Sequence, residues 1–438
     1  LVEPLEKEEF FDYIQGLYDG YLKAGAEAKK RWVLYAYAFH GREEAITVLQ
    51  KQLSIWADNA RGAMAAEAVR AIALNGSQKA LLMVDQMSRK HKSRQVKNAA
   101  AAALSEAAEV LKISKEELED QIVPDLGFDK NGERIFDYGT RSFRVWIYEL
   151  ELEVYDEHNK PRKNLPAPGK KDEEEKAKAA YEEFKQLKKQ LKTVVASQKI
   201  RLLQALRTAR LWNATQWKNL FVQNPVMHQF AIGLIWGVYE SGEFKVTFRY
   251  MGDGSFNTSK GEEYKLSDAG KIGLVHPLEL SKEELEAWKE QLLDHEVGQP
   301  IEQLWRSVYQ VKAEEKEKLA FDGFYGKTQL VISLSGKLLG AGWHRGEVLD
   351  AGFFENYYRR DGEYGAELTF SGCSVGYENP EVTVYSLYFY QLDKVAEGSS
   401  SRDTFLKKYR CRLEDVSARY FSEVILELTQ ILGESDLD

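Results

Sequence analysis

Cysteine is nearly missing from this chain, and several architectures go with it. Cys373 and Cys411 stand far apart among 438 residues, too few for a disulfide framework or a Cys-rich zinc site. A reducing, cytoplasmic setting is therefore expected. No apolar run reaches 18 residues, so no membrane-spanning helix is expected. The opening LVEPLEKEEFF is acidic and has no apolar core, so it is not read as a secretory leader. Positive charge is in deficit: 60 Lys and Arg against 69 Asp and Glu leave −9, which argues against general affinity for nucleic acid. Catalytic signatures are missing too. There is no HExxH pair, no Walker lysine loop and no GxSxG elbow. No metal and no cofactor is expected.

What the chain has is aromatic mass and a repeat. Aromatics make up 12% of it, with 23 Tyr and 9 Trp, which points to folded structure. Its length allows about two to four domains. GREEAITVLQKQLSIW begins at Gly41, an echo GSQKALLMVDQMSRKH at Gly76, and a looser echo SKEELEDQIV at Ser114. The period is roughly 35 residues, and Ala-rich runs lie between the echoes, such as MAAEAVRAIAL from Met64. Each unit reads as a helix, a Gly or Ser break and a second helix. Such pairs cannot bury their apolar faces alone, so stacking into a HEAT-like α-solenoid is expected over 1–124.

After Pro124 the pattern changes. FDKNGERIFDYG carries a turn at Asn131-Gly132, and RVWIYELELEVY at 144–155 alternates as one strand. Residues 172–211 read as a long Lys- and Glu-studded helix. Pro225 opens an apolar stretch running to Tyr239, read as a buried helix. FKVTFRY at 244–250 is a strand, and Asp253-Gly254 a hairpin turn. Ser281 and Glu284 cap a helix reaching about Leu293. QPIEQLWRSVY at 299–309 reads as a turn and short helix, 328–339 and 348–354 stay ambiguous, and AELTFSG and VTVYSLYFYQL are strands. A Ser-rich linker at 398–401 precedes a last helix over 413–432. The expected class is α+β: helical repeats over 1–124, a mixed α/β domain with mostly antiparallel strands and a long charged helix over 125–395, then a linker and C-terminal helix over 396–438.

The order of several short motifs adds a resemblance. They are DYG at 137–139, LPAP at 165–168, WKNLF…NPVMHQFAIGLIWG from Trp217, Phe248-Arg249 with Asp253-Gly254, His276-Pro277, and QPIEQLWR at 299–306. Together they resemble the Domain of Unknown Function 4132 family, the C-terminal module of molybdate metabolism regulator-like bacterial proteins. The resemblance covers 125 to about 350, and helical repeats often precede that module. Ile301 stands where the family carries an aromatic. The resemblance implies a cytoplasmic bacterial protein without an assigned activity and supplies no catalytic residues. It also implies a protein partner, such as an AAA ATPase or a von Willebrand factor A protein.

Chemistry-bearing residues are scattered. His228 lies on an apolar stretch and reads as a core histidine. Glu149, Glu151 and Glu153 share a strand face roughly 7 Å apart, enough for a metal or an acid–base pair, but a solvated face is the simpler reading. GDGSFNTSKGEEY at 252–264 is a poor calcium loop: its sixth position is not Gly, and Tyr264 stands where Glu is required. Cys411 between Arg410 and Arg412 could carry a reactive thiol. Arg201, Arg207 and Arg210 form a basic stripe near Trp212 and Trp217. Arg249, His276, Arg306 and His344 form the candidate pocket. Arg89, Lys90, Lys92, Arg94 and Lys97, with His91, form a basic loop suited to phosphates or an acidic protein. The first expectation is a non-enzymatic interaction protein. The rivals are an enzyme of unrecognised class using that pocket, and a regulator binding nucleic acid through 89–97.

Overall fold

In the computed structural model, which describes residues 7–433 apart from 43, 130, 350–351, 376–378, 395–404 and 406, the chain divides into units Leu1–Gly127 and Phe128–Asp438. The first is helical: α1 (Lys7–Lys23), α2 (Trp32–His40), α3 (Ala45–Asp58), α4 (Gly62–Asn75), α5 (Gln78–Lys90), α6 (Arg94–Leu111) and α7 (Lys115–Gln121). The breaks follow from local chemistry. Gly76 ends α4 in the left-handed region at φ 73°, where glycine carries no Cβ penalty. Ser77, Ser93 and Ser114 cap α5, α6 and α7 by accepting backbone N–H groups. Ala65, Ala68, Ala100 and Ala103 are buried, and such small side chains let α4 and α6 pack closely. The unit's core runs from Ile14 to Ile122, entirely within it.

The second unit begins with a four-stranded antiparallel sheet in the order β1 (Glu133–Asp137), β2 (Ser142–Tyr148), β3 (Glu151–Asp156) and β4 (Pro161–Arg162). The single strand expected over 144–155 is therefore a hairpin. Tyr148 pairs with Glu151, and Glu149 and Leu150 form the two-residue turn with φ 48° and 64°. Glu149 does not share a strand face with Glu151 and Glu153. α8 (Glu174–Arg207) follows, about 50 Å long at 1.5 Å per residue. It buries Ala177, Phe184, Leu187, Leu191, Leu202 and Leu206 at helical spacing and leaves its Lys and Glu faces in solvent.

A five-stranded antiparallel sheet comes next, in the order β5 (Leu211–Asn213), β9 (Lys271–Leu274), β6 (Ile235–Glu240), β7 (Glu243–Tyr250) and β8 (Phe256–Asn257). Between β5 and β6 lie α9 (Ala214–Trp217), a π-helical turn at Lys218–Gln223 and α10 (Pro225–Ile232). The apolar helix expected to reach Tyr239 thus stops at Ile232. A run buried on every side has no period that separates helix from strand. Gly233 marks the change: a Cβ there would sit 2.6 Å from Pro300 Cδ and 2.8 Å from the Gly298 carbonyl. α11 (Lys282–Asp294), capped by Ser281, covers this sheet with Trp288 and Leu292.

The short helix expected within 299–309 is not formed. Gln299 Oε1 accepts the N–H groups of Gln303 and Leu304, and Gln303 bonds the Ile235 N–H and the Ile235 and Val275 carbonyls, so side chains replace a helical ladder. A third sheet holds β10 (Ala320–Phe321), β15 (Glu381–Gln391), β14 (Tyr364–Ser374), β13 (Phe353–Asp361) and β12 (His344–Arg345) in that order, with β11 (Thr328–Leu330) also on β15. α12 (Val331–Gly340) and α13 (Ala418–Leu432) pack against it. The Ser-rich segment at 398–401 lies outside the described residues.

Candidate binding groove and buried ion network

Two of the four candidate pocket residues meet. His276 caps a short 3-10 turn opened by Pro277, and its ring Nδ1 accepts the Leu278 N–H at 3.2 Å. Nδ1 is therefore bare and Nε2 carries the hydrogen. Nε2 donates to Glu423 at 3.1 Å, and Arg306 donates to the other Glu423 oxygen at 2.8 Å. The three residues are 0%, 4% and 8% exposed for His276, Glu423 and Arg306. Burial pushes the His276 ring and the Arg306 guanidinium below their ordinary pKa. Burial would raise the Glu423 carboxyl, but the His276 hydrogen bond and the Arg306 charge hold it below the usual carboxylate range.

Glu423 belongs to a row. Arg419, Glu423 and Glu427 are four residues apart on α13 and so share a face. Arg419 reaches Glu279 and the Leu206 and Leu274 carbonyls. Glu427 takes Arg359, Arg207 at 2.6 Å and the Trp343 indole at 2.6 Å. Asp361 accepts from Arg359 and from Tyr420 at 3.0 Å. Four arginines face four carboxylates. The network is mostly buried and balanced in charge, with Glu279 and Glu427 at its partly exposed edge, which is how a core tolerates charge.

Arg249 and His344 lie elsewhere. Arg249, 3% exposed, donates to the Ile232 carbonyl at 3.2 Å and to His295 Nδ1 at 2.9 Å. The Ile232 carbonyl ends α10, so the negative pole of that helix faces the guanidinium; burial lowers its pKa. His344 is exposed on β12, its ring 5.5 Å from that of Tyr358. The basic loop does sit between α5 and α6, but Lys92 pairs with Asp58 at 2.7 Å and Lys97 is half-buried. Arg94 is exposed, and the side chains of Arg89 and Lys90 lie outside the described residues. The stripe of Arg201, Arg207 and Arg210 breaks up, since Arg207 turns into the core and Arg210 covers Trp212. His228 is half-buried, with Nδ1 3.4 Å from the Val222 carbonyl. Cys373 and Cys411 are both buried and form no disulfide.

The more open feature was not legible beforehand. A groove of about 960 Å³ runs beside α8. One wall is the outer face of that helix, with Lys188, Lys192, Val195 and Lys199 and the edge of Leu191. Lys163 and Asn164 continue it, and Lys188 donates to Asn164 at 2.8 Å. The facing wall is the β2–β3 turn with Tyr148, Leu150 and Leu152, fixed by the Glu149 N–H donating to Gln229 Oε1 at 3.0 Å. Gly233 and residues 295–300 close one end. Glu149, Glu151 and Glu296 also line it. Among the described residues, Lys163, Lys192 and Lys199 have no ion-pair partner.

The profile of a family described as "Domain of unknown function (DUF4132)" matches residues 160–343, a span that holds α8, the five-stranded sheet and α11. The chain is also 31% identical over 359 residues, 81% of its length, to the uncharacterized protein YehI of Escherichia coli (strain K12). The chain spans 29% of that relative's length. No solved structure matches it. The DYG and LPAP motifs touch, Tyr138 donating to the Pro166 carbonyl at 2.7 Å. Gln299, Gln303 and Arg306 serve packing and the ion network.

Proposed function

We propose that this chain is a non-enzymatic interaction module of a bacterial, cytoplasmic protein, and that the groove beside α8 holds an acidic polypeptide segment. One observation carries the reading. Three groove lysines stand without a carboxylate partner among the described residues, on a chain whose net charge is −9. Lysine left unpaired along a concave wall favours an anionic occupant. Tyr148, Leu150, Leu152 and Val195 between the charges favour a segment that also carries apolar side chains. The groove carboxylates and the overall negative charge leave room for scattered acidic side chains but disfavour the continuous phosphate charge of a nucleic-acid strand.

The first unit completes the reading as a short HEAT-like stack of paired helices offering a second surface. Trp32 and Phe39, seven residues apart on α2, are 55% and 48% exposed there. AAA ATPases and von Willebrand factor A proteins are the partner classes to try first. The enzyme reading has less support, because His276 and Arg306 converge in a closed core and not at an open cleft.

Fluorescence anisotropy with a labelled peptide of alternating Asp, Glu and Leu tests the groove. Saturable binding at low salt is expected, weakening as ionic strength rises. The double variant Lys192→Glu, Lys199→Glu should bind at least about tenfold more weakly, since each reversal turns attraction into repulsion. Equal binding by the variant, or none by the parent, sinks the reading. Tighter binding of a single-stranded oligonucleotide would favour the regulator instead.

A further inference from the structure

A second cavity, of about 560 Å³, opens between the 251–263 loop and α11. Ala287, Glu290, Gln291 and Asp294 line it. Their spacing places them on one helical face, away from the buried Trp288 and Leu292. The opposite wall is the segment that reads in sequence as a failed calcium loop.

Asn257 lines this cavity and is 8% exposed. Its Nδ2 donates to Gln291 Oε1 at 3.3 Å, and Gln291 Nε2 donates to the Thr258 carbonyl at 3.0 Å. A carbonyl only accepts, so this chain of bonds fixes the orientation of both amides. Turning Gln291 would break its bond to Thr258, and turning Asn257 would set two acceptors face to face. Asn257 Oδ1 is thereby left buried without a hydrogen-bond partner. A buried acceptor with no donor is a standing cost that an incoming N–H group would remove. Around it Glu263, Glu290 and Asp294 line the cavity; among the described residues none of them has an ion-pair partner. Lys260 and His295 are the basic side chains of the lining. The carbonyl end of α11 adds further negative potential. The described carboxylates do not converge into a group that could hold a metal ion, so an organic cation fits this lining better.

We infer that this cavity binds an alkylammonium or guanidinium group, with Asn257 Oδ1 as the buried acceptor and Glu263, Glu290 and Asp294 as counter-charges. The same chemistry is presented by a free amine or by a Lys or Arg side chain of a polypeptide. His295 borders both cavities, but this inference rests on other residues and survives if the groove reading fails.

Calorimetric titration of the full chain at low salt tests it with cadaverine and with acetyl-Gly-Arg-Gly-amide, using the citrulline peptide as the uncharged counterpart. At least one cationic probe should bind saturably, about tenfold or more tighter than the citrulline peptide. Cadaverine binding identifies a small-amine site; binding of the arginyl peptide alone identifies a side-chain site. Asn257→Ala should weaken binding about tenfold. Glu290→Gln, on an exposed position that does not threaten folding, should weaken it severalfold. No saturable binding of either cation, equal binding of the citrulline peptide, or binding untouched in both variants overturns the inference.

Discussion

Glu423 is the residue on which the buried charge of the second unit hinges. It answers Arg306 and the His276 ring at once, and all three residues are buried. Removing one member of a buried pair leaves the other charge unanswered, at a cost of about 3–5 kcal/mol. Glu423→Gln should therefore lower the urea-unfolding free energy by about that amount; a loss below about 1 kcal/mol would mean the site is wetter than it is drawn. A pH dependence follows from His276. Burial depresses its folded-state pKa, so below about pH 6.5 the unfolded chain takes up a proton that the folded ring refuses. Stability should fall as pH drops through that point. Glu423 and Asp361, held below the usual carboxylate range, add a further loss below about pH 4.5. Urea midpoints between pH 8 and 5 should show the first decline, and His276→Gln should shrink it to the part left by His228, whose ring burial also holds below its ordinary pKa. A midpoint that rises on acidification would mean the folded ring is charged.

At the scale of elements, the β2–β3 turn concentrates the strain. Glu149 and Leu150 both hold positive φ, which costs a side-chain-bearing residue roughly 1–2 kcal/mol. Leu150→Gly removes that cost but adds about 0.5–1 kcal/mol of backbone entropy, so a net gain of up to about 1.5 kcal/mol is expected in urea unfolding. Acidic-peptide affinity should fall in the same variant, because Leu150 lines the groove. Unchanged stability together with unchanged binding would mean that neither the strain nor the groove role exists. This turn also shows where sequence reading stops. The echoes in the first unit are legible because Gly76, Ser77, Ser93 and Ser114 carry standard cap chemistry. The β2–β3 turn has no Gly or Asn to betray it, so two strands read as one. The stretch from Pro225 to Tyr239 is apolar throughout, and only the close approach of Gly233 to Pro300 divides helix from strand. His276 and Arg306 are visible as polar residues in motifs, whereas their shared Glu423, 117 residues beyond Arg306, is not. The groove hides for a similar reason: its walls come from separate segments, and its lysines look like the solvated face of any charged helix.

At the scale of the whole molecule, the two units differ in what unfolds them. The core of the first is built wholly from Ile14 to Ile122, while the charges and aromatic clusters of the second draw only on residues beyond Phe128. A cavity opened in one core therefore removes packing from that core alone. Leu49 is fully buried, and Leu49→Ala should destabilise by about 2–5 kcal/mol. Differential scanning calorimetry should show one transition moved down and another in place, with acidic-peptide binding by the groove intact below both. Trp288, also fully buried, provides the converse: Trp288→Ala should shift the other transition and impair cation binding at α11, since that helix carries the cavity's lining face. If both substitutions shift a single common transition by similar amounts, the units fold as one cooperative body, and loss of function in any core variant could no longer be assigned to the unit that holds it.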